Sequence, residues 1–462
     1  MITGYPLEKI FKTALKNGGS FADLYQESSE ISSVVCDDNK IEKVITGTDT
    51  GIGLRAIANL KTSYAYSNCC NETGILDLAD ALANGVNPDS EATIARTYSL
   101  QQPVDFHIRI LPNTVDTGRK VAIVREANAA ARAVDPRVRQ VKVLYSDKHQ
   151  RLAIANSEGL LVEEERTYTL FFVHVVAADK NIIQTGYEPV GGLIGFELFD
   201  QVDVVNVART AARRAVQALE ARKAPSGMMP VILSSEAGGT MIHEAVGHGL
   251  EADLALEGLS VYTNRIGETV ASPLITVVDD ATLAGKRGSY GYDDEGVPAQ
   301  RTLLVEKGIL KGYLCDRLYA MRFDMISTGN GRRQSYKHHP IVRMSNTFIA
   351  PAEESPDTIL RNTPEGILVK KMGGGQVNTV NGDFVFEVSE GYLIRNGEIG
   401  DPVRGATLAG NGPQVLQSID RVGNDLGFGI GTCGKDGQGV PVADAQPTLR
   451  IPEIVVGGTS QK

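Results

Sequence analysis

Short segments in which apolar and polar residues alternate, separated by turn residues, recur along the chain and constrain its fold more than any other feature. In the first half these segments are ADLYQESSE, ISSVVCD, KIEKVITG, TGIGLRAIA, KTSYAYS, RQVKVLYSD and TYTLFFVHVVAA. Alternation with a period of two is typical of strands with one buried face, and the first five segments predict an antiparallel meander. Apolar residues at helical spacing predict helices at about 73–84, 115–133 and 201–222.

The stretch KAPSGMMP, which follows the third of these helices, is predicted to be a domain boundary because Pro225, Ser226 and Gly227 interrupt regular structure. Beyond it, strand-like segments are separated by the Gly-rich stretches GYDDEGVP, STGNGRRQSY, MGGGQVNTVNG and GIGTCGKDGQG, which we predict to be long loops. Strands in hairpins with segregated helices indicate an α+β fold. We therefore predict two domains, 1–225 and 226–462, built from mixed or antiparallel sheets, flanking helices and long Gly-rich loops.

Composition excludes several classes of protein. The net charge is -10 and no stripe of Lys and Arg interrupts the acidic background, which argues against direct binding to nucleic acid. No apolar run approaches the roughly 20 residues of a membrane span, and the N-terminal segment has the spacing of an amphipathic helix rather than of a signal peptide. Five irregularly spaced cysteines do not form a disulfide framework. The expected location is the cytoplasm.

The stretch TMIHEAVGHGLEAD contains two histidines and a glutamate at an unusual spacing. In the zinc-hydrolase signature H-E-x-x-H, the histidines are four residues apart and share one helix face. His243 and His248 are five residues apart. In an ideal helix this spacing places the second side chain about 140° round the axis from the first, so the two could not face one metal. A π-bulge would absorb the extra residue, and Gly247 would ease such a distortion. The segment therefore predicts zinc only if the helix is locally π-like.

A third ligand has to come from elsewhere in the chain. The candidates are Glu251, Asp253, the pair His338 and His339, and Cys433. The two acids follow the motif so closely that solvated or helix-capping roles are more typical of them. Cys433 ranks first on chemistry, because Lys435 is two residues away and a neighbouring cation helps to lower a thiol pKa towards the thiolate that a metal requires. The alternatives remain open at this level.

Several separate motifs resemble those of the TldD/PmbA family of metalloproteases, and the TldD branch in particular. They are GTMIHEAVGHGLEAD, GYDDEGVP, STGNGRRQSY, VRMSNTFI, GGQVNTVNGDFVFEVSEGYLI and GIGTCGKDGQGVPV, in that order. The resemblance is dense from about residue 226 to the C-terminus and looser from about 15 to 220. PmbA-branch paralogues lack the H-E-x-x-x-H motif, whereas this chain keeps it, so the resemblance implies the catalytic branch.

The resemblance implies a cytoplasmic zinc peptidase in which His243, His248 and Cys433 hold Zn²⁺ and Glu244 is the general base. It also implies a dimer, of this chain with itself or with a PmbA-type paralogue, enclosing a cavity that admits unfolded peptides. The N-terminal domain is then expected to serve dimerisation and access of the peptide. Leader-bearing peptide precursors and unstable antitoxins are the substrates associated with the family.

A thiolate ligand makes zinc a weaker Lewis acid than a third imidazole would, so compensating oxyanion donors are expected. The candidates by their position in motif loops are Tyr292, His338, His339 and Arg343. Gly373, Gly374 and Gly375 are predicted to expose backbone that pairs with an extended peptide. Two rival functions are a non-catalytic, peptide-binding or regulatory subunit and a hydrolase of non-peptide amides. Retention of Glu244 argues against the first, because a structural metal site needs no base.

Overall fold

The first half of the chain is built on one long, twisted sheet. The computed structural model describes residues 2–86, 93–101 and 104–458. The strands of this half are β1 (Phe21–Asp37), β2 (Lys40–Ala58), β3 (Lys61–Ser67), β4 (Ser99–Leu100), β5 (Val138–Asn156), β6 (Leu160–Asp179) and β7 (Ile182–Leu193). They lie in the order β3-β2-β1-β5-β6-β4, with β7 also paired to β6. β1, β2 and β3 form the predicted antiparallel meander, with the first two segments merged into β1 and the next two into β2.

Helices cover this sheet and bury two apolar clusters. They are α1 (Leu7–Ala14), α2 (Glu72–Asn84), α3 (Thr117–Arg132), α4 (Leu198–Gln201) and α5 (Val204–Glu220). α1 and α2 bury one cluster against β1 and β2, and α3 and α5 bury the other against β5 and β6. The three helices predicted in this half are confirmed: α3 and α5 lie within the predicted ranges, and α2 begins one residue before its range.

The second half contains two larger sheets around one core. Its strands are β8 (Arg222–Lys223), β9 (Gly227–Leu233), β10 (Val277–Asp280), β11 (Arg301–Glu306), β12 (Ile309–Leu310), β13 (Gly331–Arg332), β14 (Ile341–Val342), β15 (Asn346–Ile349), β16 (Glu365–Val377), β17 (Asp383–Arg395), β18 (Glu398–Arg404), β19 (Thr407–Asn411), β20 (Arg421–Val422), β21 (Gly427–Lys435), β22 (Gln438–Gln446) and β23 (Leu449–Gly457). Among the described residues, one sheet has the order β12-β11-β10-β15-β22-β21. The other has the order β16-β9-β23-β19-β17-β18-β8, with β20 beside β23.

Short helices connect these strands. They are α6 (Thr240–Ile242), α7 (Ala252–Ala255), α8 (Arg317–Phe323), α9 (Pro356–Arg361) and α10 (Gly412–Ser418). This half has one large apolar core, whose first and last residues along the chain are Ala224 and Val456. The α+β class, with mixed and antiparallel sheets, is confirmed, while the division of the chain at residue 225 stays a prediction. Among the described residues, no helix combines the length and the apolar character that crossing a membrane requires.

Two of the Gly-rich stretches predicted to be loops are strands instead. MGGGQV belongs to β16, and GIGTCGK forms most of β21, which turns at Asp436 and Gly437 into β22. The glycines of β16 make room for a neighbouring ring: a Cβ on Gly375 would come within 1.8 Å of the Phe386 side chain on β17. Steric demand across a strand pair, rather than a need for turns, therefore accounts for glycine at this position.

Candidate metal centre

The chain enters the histidine motif from β9 through a tight turn. A 3₁₀ turn at Ser235–Ala237 follows the strand, and the Ser234 hydroxyl caps it by accepting a hydrogen bond from the Glu236 N–H at 3.2 Å. After α6, residues His243–Gly247 form a π-helical turn, and His248–Leu250 form a 3₁₀ turn. The π-like distortion predicted from the five-residue spacing is confirmed, and it returns both histidines to one side of the segment.

Gly247 serves this turn by its size and not by its backbone freedom. Its φ of -55° and ψ of -53° are ordinary right-handed helical values, which residues other than glycine also adopt. A Cβ at this position would lie 2.1 Å from Sδ of Met344, which is itself fully buried. The absence of a side chain lets the π turn pack directly against Met344.

Three side chains that can bind a metal converge at this turn. Nε2 of His243 lies 3.2 Å from Sγ of Cys433, and Nε2 of His248 lies 3.3 Å from the same sulfur. All three candidate ligand atoms lie within 4.8 Å of one another. Tetrahedral zinc, with bonds of about 2.3 Å to sulfur and 2.0 Å to nitrogen, would separate such atoms by roughly 3.5 Å. The donor set and its spacing therefore fit a zinc ion with room for a fourth ligand.

Cys433 reaches this site from an edge strand. It lies on β21, the last strand of its sheet, where it pairs with Val440 of β22. The expectation of a flexible loop around Cys433 was wrong, because a two-residue hairpin turn lets the Gly-rich segment pair along its length. The fully buried Arg343 donates hydrogen bonds to the carbonyl oxygens of Cys433 and Gln438 and so braces the hairpin. A rigid strand thus positions the sulfur.

The histidines, rather than Lys435, tune the thiol. Burial raises the pKa of Cys433, but hydrogen bonds from His243 and His248 outweigh burial and lower this pKa to about 5. Lys435 Nζ points away, to Glu251 at 2.9 Å and to Asp253 at 2.6 Å. The expected cause of the thiolate was therefore wrong, while thiolate character itself follows from the neighbouring imidazoles.

Glu251 orients one of the two histidines. Its carboxylate is fully buried and accepts a hydrogen bond from Nδ1 of His248 at 2.8 Å. Burial lowers the pKa of His248, but the charge of Glu251 and the bond to Cys433 raise this pKa to about 10. A carboxylate on the far nitrogen fixes the tautomer and orientation of a metal-binding imidazole. Glu251 occupies the N-cap position of α7, but its side chain makes no capping hydrogen bond and is not solvated, so the role expected for that side chain was wrong.

Beside these side chains lies a cavity of about 280 Å³. It is lined by Tyr187, Pro189, Ala237, Thr240, His243, Glu244, His248, Lys371, Met372, Gly429, Ile430, Gly431, Thr432, Cys433, Gly434, Val442 and Asp444. Glu244 makes no hydrogen bond or ion pair with any residue in the described part of the chain, which leaves its carboxylate for other contacts. Lys371 is the only lysine or arginine among the described lining residues. Sequence reasoning missed Lys371 and Tyr187, which lie far from the motif along the chain.

The four residues predicted to bind substrate do not line this cavity. Tyr292 is buried against the first-half sheet, where its carbonyl oxygen accepts a hydrogen bond from Arg166. His338 contacts Ser335 at 3.1 Å, and the ring of His339 packs edge-on against Tyr64. Arg343 braces the hairpin, as described above. None of the four is among the described lining residues, so their contact with a peptide stays a prediction.

Comparison with known proteins shows that the chain is similar to one family of metallopeptidases along most of its length. Models of the PmbA/TldA metallopeptidases match as domain 1 at residues 22–85, as the central domain at 110–219 and as the C-terminal domain at 226–458. A metalloprotease TldD homolog of Haemophilus influenzae is 37% identical over 98% of this chain and 96% of its own length. A zinc metalloprotease TldD homolog of Saccharolobus solfataricus is 28% identical over 97% and 99%. The crystal structure of TldE from Thermococcus kodakarensis, 19% identical, shares the fold with a TM-score of 0.77 and covers 98% of this chain and 100% of its own.

Proposed function

The chain belongs to the PmbA/TldD family of metallopeptidases, and on that premise we propose that it is a zinc-dependent peptidase of the TldD branch. Its proposed substrates are the peptide bonds of unfolded or leader-bearing peptides, in the cytoplasm. One observation carries the proposal: the ligand atoms of His243, His248 and Cys433 lie within 4.8 Å of one another, beside Glu244 in one cavity. A structural metal site would need neither the adjacent acid nor the cavity.

The proposed chemistry divides between the metal and the side chains around it. Zinc bound by the three ligands supplies a Lewis acid that acidifies water and polarises a carbonyl group. Glu244 accepts the proton of the attacking water and delivers it to the leaving amine. Its carboxylate suits this task because it faces the cavity without a described protein partner.

We assign the oxyanion-stabilising role to Lys371 in place of the four loop residues. Among the described residues of the cavity wall, it is the one lysine or arginine, and it is not one of the candidate metal ligands. It lies 3.8 Å from Glu188 and 5.5 Å from the centre of the Tyr187 ring, so a carboxylate and an aromatic face hold it in place. A charged donor held beside the reacting group is a usual means of stabilising a developing negative charge.

An extended peptide would bind along β21 in this proposal. Gly375, predicted to offer free backbone, pairs with Phe386 of β17, so that part of the prediction was wrong. β21 ends its sheet in the described structure, and its residues from Ile430 to Gly434 line the cavity. An edge strand recognises a peptide through main-chain hydrogen bonds and tolerates varied side chains. This mode suits a peptidase of unfolded substrates.

We further propose a dimer, formed with a second copy or with a PmbA-type paralogue, in which residues 1–225 contribute to assembly and to peptide access. Light scattering of the purified chain, alone and mixed with such a paralogue, distinguishes the two partners. A monomer under both conditions would contradict the dimer. No role in binding nucleic acid or a membrane is part of this proposal.

The proposal is tested by metal content and cleavage of an unfolded peptide by wild type, Glu244→Gln and Cys433→Ala. We expect about one zinc per chain in wild type, retained zinc with cleavage reduced by orders of magnitude in Glu244→Gln, and lost zinc in Cys433→Ala. Glu126→Gln, on the exposed face of α3, is the matched control and should behave as wild type. Undiminished cleavage by Glu244→Gln would overturn the mechanism. Zinc and peptide binding without any cleavage by wild type would favour a regulatory, peptide-binding subunit.

A further inference from the structure

A second cavity, of about 400 Å³, adjoins the metal cavity across β21. Its lining residues are Ser146, Asp147, Lys148, Gln150, Arg166, Tyr168, Leu170, Arg287, Asp294, Arg332, Arg333, Gln334, Thr432, Gly439 and Pro441. Thr432 lines both cavities, and adjacent side chains on a strand point to opposite faces, so Thr432 and Cys433 face different sides. The lining is strongly basic, with five Lys and Arg side chains against two carboxylates.

The carboxylates near this cavity are already engaged by other cations. Asp147 pairs with Lys120 at 2.7 Å, and Asp294 pairs with Arg166 at 2.8 Å. Arg333 lies 3.7 Å from Asp23 and donates to the main-chain oxygen of Asp294. Lys148, which also lines the cavity, contacts the carboxylate of Glu27 at 3.0 Å. These charges therefore balance one another within the protein.

Arg287 and Arg332 are the exceptions. Neither guanidinium has a carboxylate within 4.0 Å in the described ranges. Arg287 donates from Nε to the carbonyl oxygen of Gly431 at 3.2 Å, and Arg332 donates to the carbonyl oxygens of Met344 and Pro441 at 2.6 and 2.8 Å. Burial, together with the charge of Arg332, lowers the pKa of Arg287. Two neighbouring guanidinium groups that lack an anion are costly in a partly buried wall unless a ligand supplies the charge.

We propose that Arg287 and Arg332 form a subsite that binds a carboxylate group of the peptide substrate. The proposal rests on the proposed peptidase function and specifies its substrate class: peptides with a carboxylate close to the scissile bond. Planar guanidinium groups match carboxylate geometry better than lysines do. The carboxylate has two possible sources, the C-terminus of the peptide or an Asp or Glu side chain.

The contact of Arg287 with Gly431 of β21 sets the distance of this carboxylate from the metal. Arg287 is bonded to Gly431, and Gly431 precedes the metal ligand Cys433 by two residues on the same strand. Two residues of strand span roughly 6.6 Å. A peptide paired along the edge of β21 would therefore carry the recognised carboxylate about two residues from the bond that is cleaved.

Binding to the zinc-loaded, full-length Glu244→Gln protein tests the subsite separately from catalysis. The probes are a fluorescein-labelled heptapeptide of Ala and Gly with a free C-terminal carboxylate, its C-terminal amide, and the amide with a single Asp at each position in turn. We expect about tenfold tighter binding of the free acid, or of one Asp-containing amide, than of the plain amide, as a charge-assisted pair supplies. Which of the two binds tightly identifies the source of the carboxylate.

Variants assign the effect to the two arginines. Arg287→Gln and Arg332→Gln, each in the Glu244→Gln protein, should remove the preference while leaving the affinity for the plain amide unchanged. Lys286→Gln is the matched control, since Lys286 packs on the Phe428 ring outside the cavity lining, and it should keep the preference. The subsite would be overturned if all probes bound equally well to the Glu244→Gln protein with both arginines present. It would also be overturned if Arg287→Gln weakened the binding of the acid and of the plain amide by the same factor. Selective binding without cleavage by wild type would support the subsite and overturn the peptidase.

Discussion

At the scale of single residues, Lys371 connects the pH of the solution to the proposed chemistry. Burial, followed by the charge of Arg214, lowers the pKa of Lys371 to about 8. The ammonium form is therefore present below pH 8 and is lost as the pH rises through that value. Because only the charged form can stabilise an oxyanion strongly, the alkaline side of the activity profile should report on this lysine.

We predict that kcat of the wild type falls as the pH rises through about 8. Lys371→Met should lower kcat roughly 100-fold at neutral pH with a smaller effect on KM, and Lys371→Arg should move the alkaline limb to higher pH. Lys370→Met is the control, since Lys370 pairs with Glu236 at 3.1 Å and lies outside the cavity lining. Steady-state kinetics across pH 6 to 10 provide the measurement. An alkaline limb that stays in place in Lys371→Arg would remove Lys371 from the mechanism.

At the scale of elements, the π turn at His243–Gly247 holds the metal-binding histidines by packing. The isolated turn has no strong local preference, because a π turn is rare and short. Met344 fills the space that a Cβ on Gly247 would need. Since Met344 is fully buried, it has little room to move aside.

We predict that Gly247→Ala lowers the free energy of unfolding by roughly 1–3 kcal/mol and weakens zinc binding, because the added methyl group overpacks the turn. Gly312→Ala should change little, since a Cβ there meets no atom within 4 Å. In combination with Met344→Ala, the cost of Gly247→Ala should shrink, which denaturant titration of the four proteins in the double-mutant cycle measures. Strictly additive costs would show that Met344 is not the cause.

At the scale of the whole molecule, a buried ion network joins the first-half sheet to the second half. Arg55 on β2 binds Asp23 on β1 and lies 2.7 Å from Glu295 in the GYDDEGVP loop. All three side chains are fully buried. The segment that follows β13 docks nearby, where Tyr64 donates to the carbonyl oxygen of Tyr336 at 2.6 Å. Buried polar contacts therefore connect the two halves.

We predict that Arg55→Met lowers the midpoint of thermal unfolding by several degrees. Removing Arg55 deprives buried Glu295 of its cation and leaves buried Asp23 only the more distant Arg333, at 3.7 Å, a loss of about 3–5 kcal/mol. Arg265→Met is the control: its partner, Glu268, is 58% exposed, and such surface pairs contribute less than about 1 kcal/mol. Calorimetry of both variants provides the comparison. An unchanged midpoint in Arg55→Met would mean that the network adds nothing to the attachment of the two halves.

The sequence by itself determined the features that depend on local spacing. The alternation of β1 to β3, the helical periodicity of α5 and the five-residue spacing of His243 and His248 are properties of neighbouring residues, and the meander, the helix and the π turn followed from them. The motif order also indicated the family. Cys433 stood first among the third-ligand candidates on chemistry, but its approach to the histidines could not be derived from spacing.

Only the tertiary structure decided which distant residues meet. Cys433 lies 190 positions from His243, and Lys371 joins the same cavity from another sheet. Pairing across strands turned Gly-rich segments, which local preference assigns to loops, into β16 and β21. Burial converted Glu251 from an expected surface acid into the partner of His248. These outcomes depend on desolvation and on packing between elements far apart in the chain. They therefore cannot be inferred from the residues that neighbour one another in the sequence.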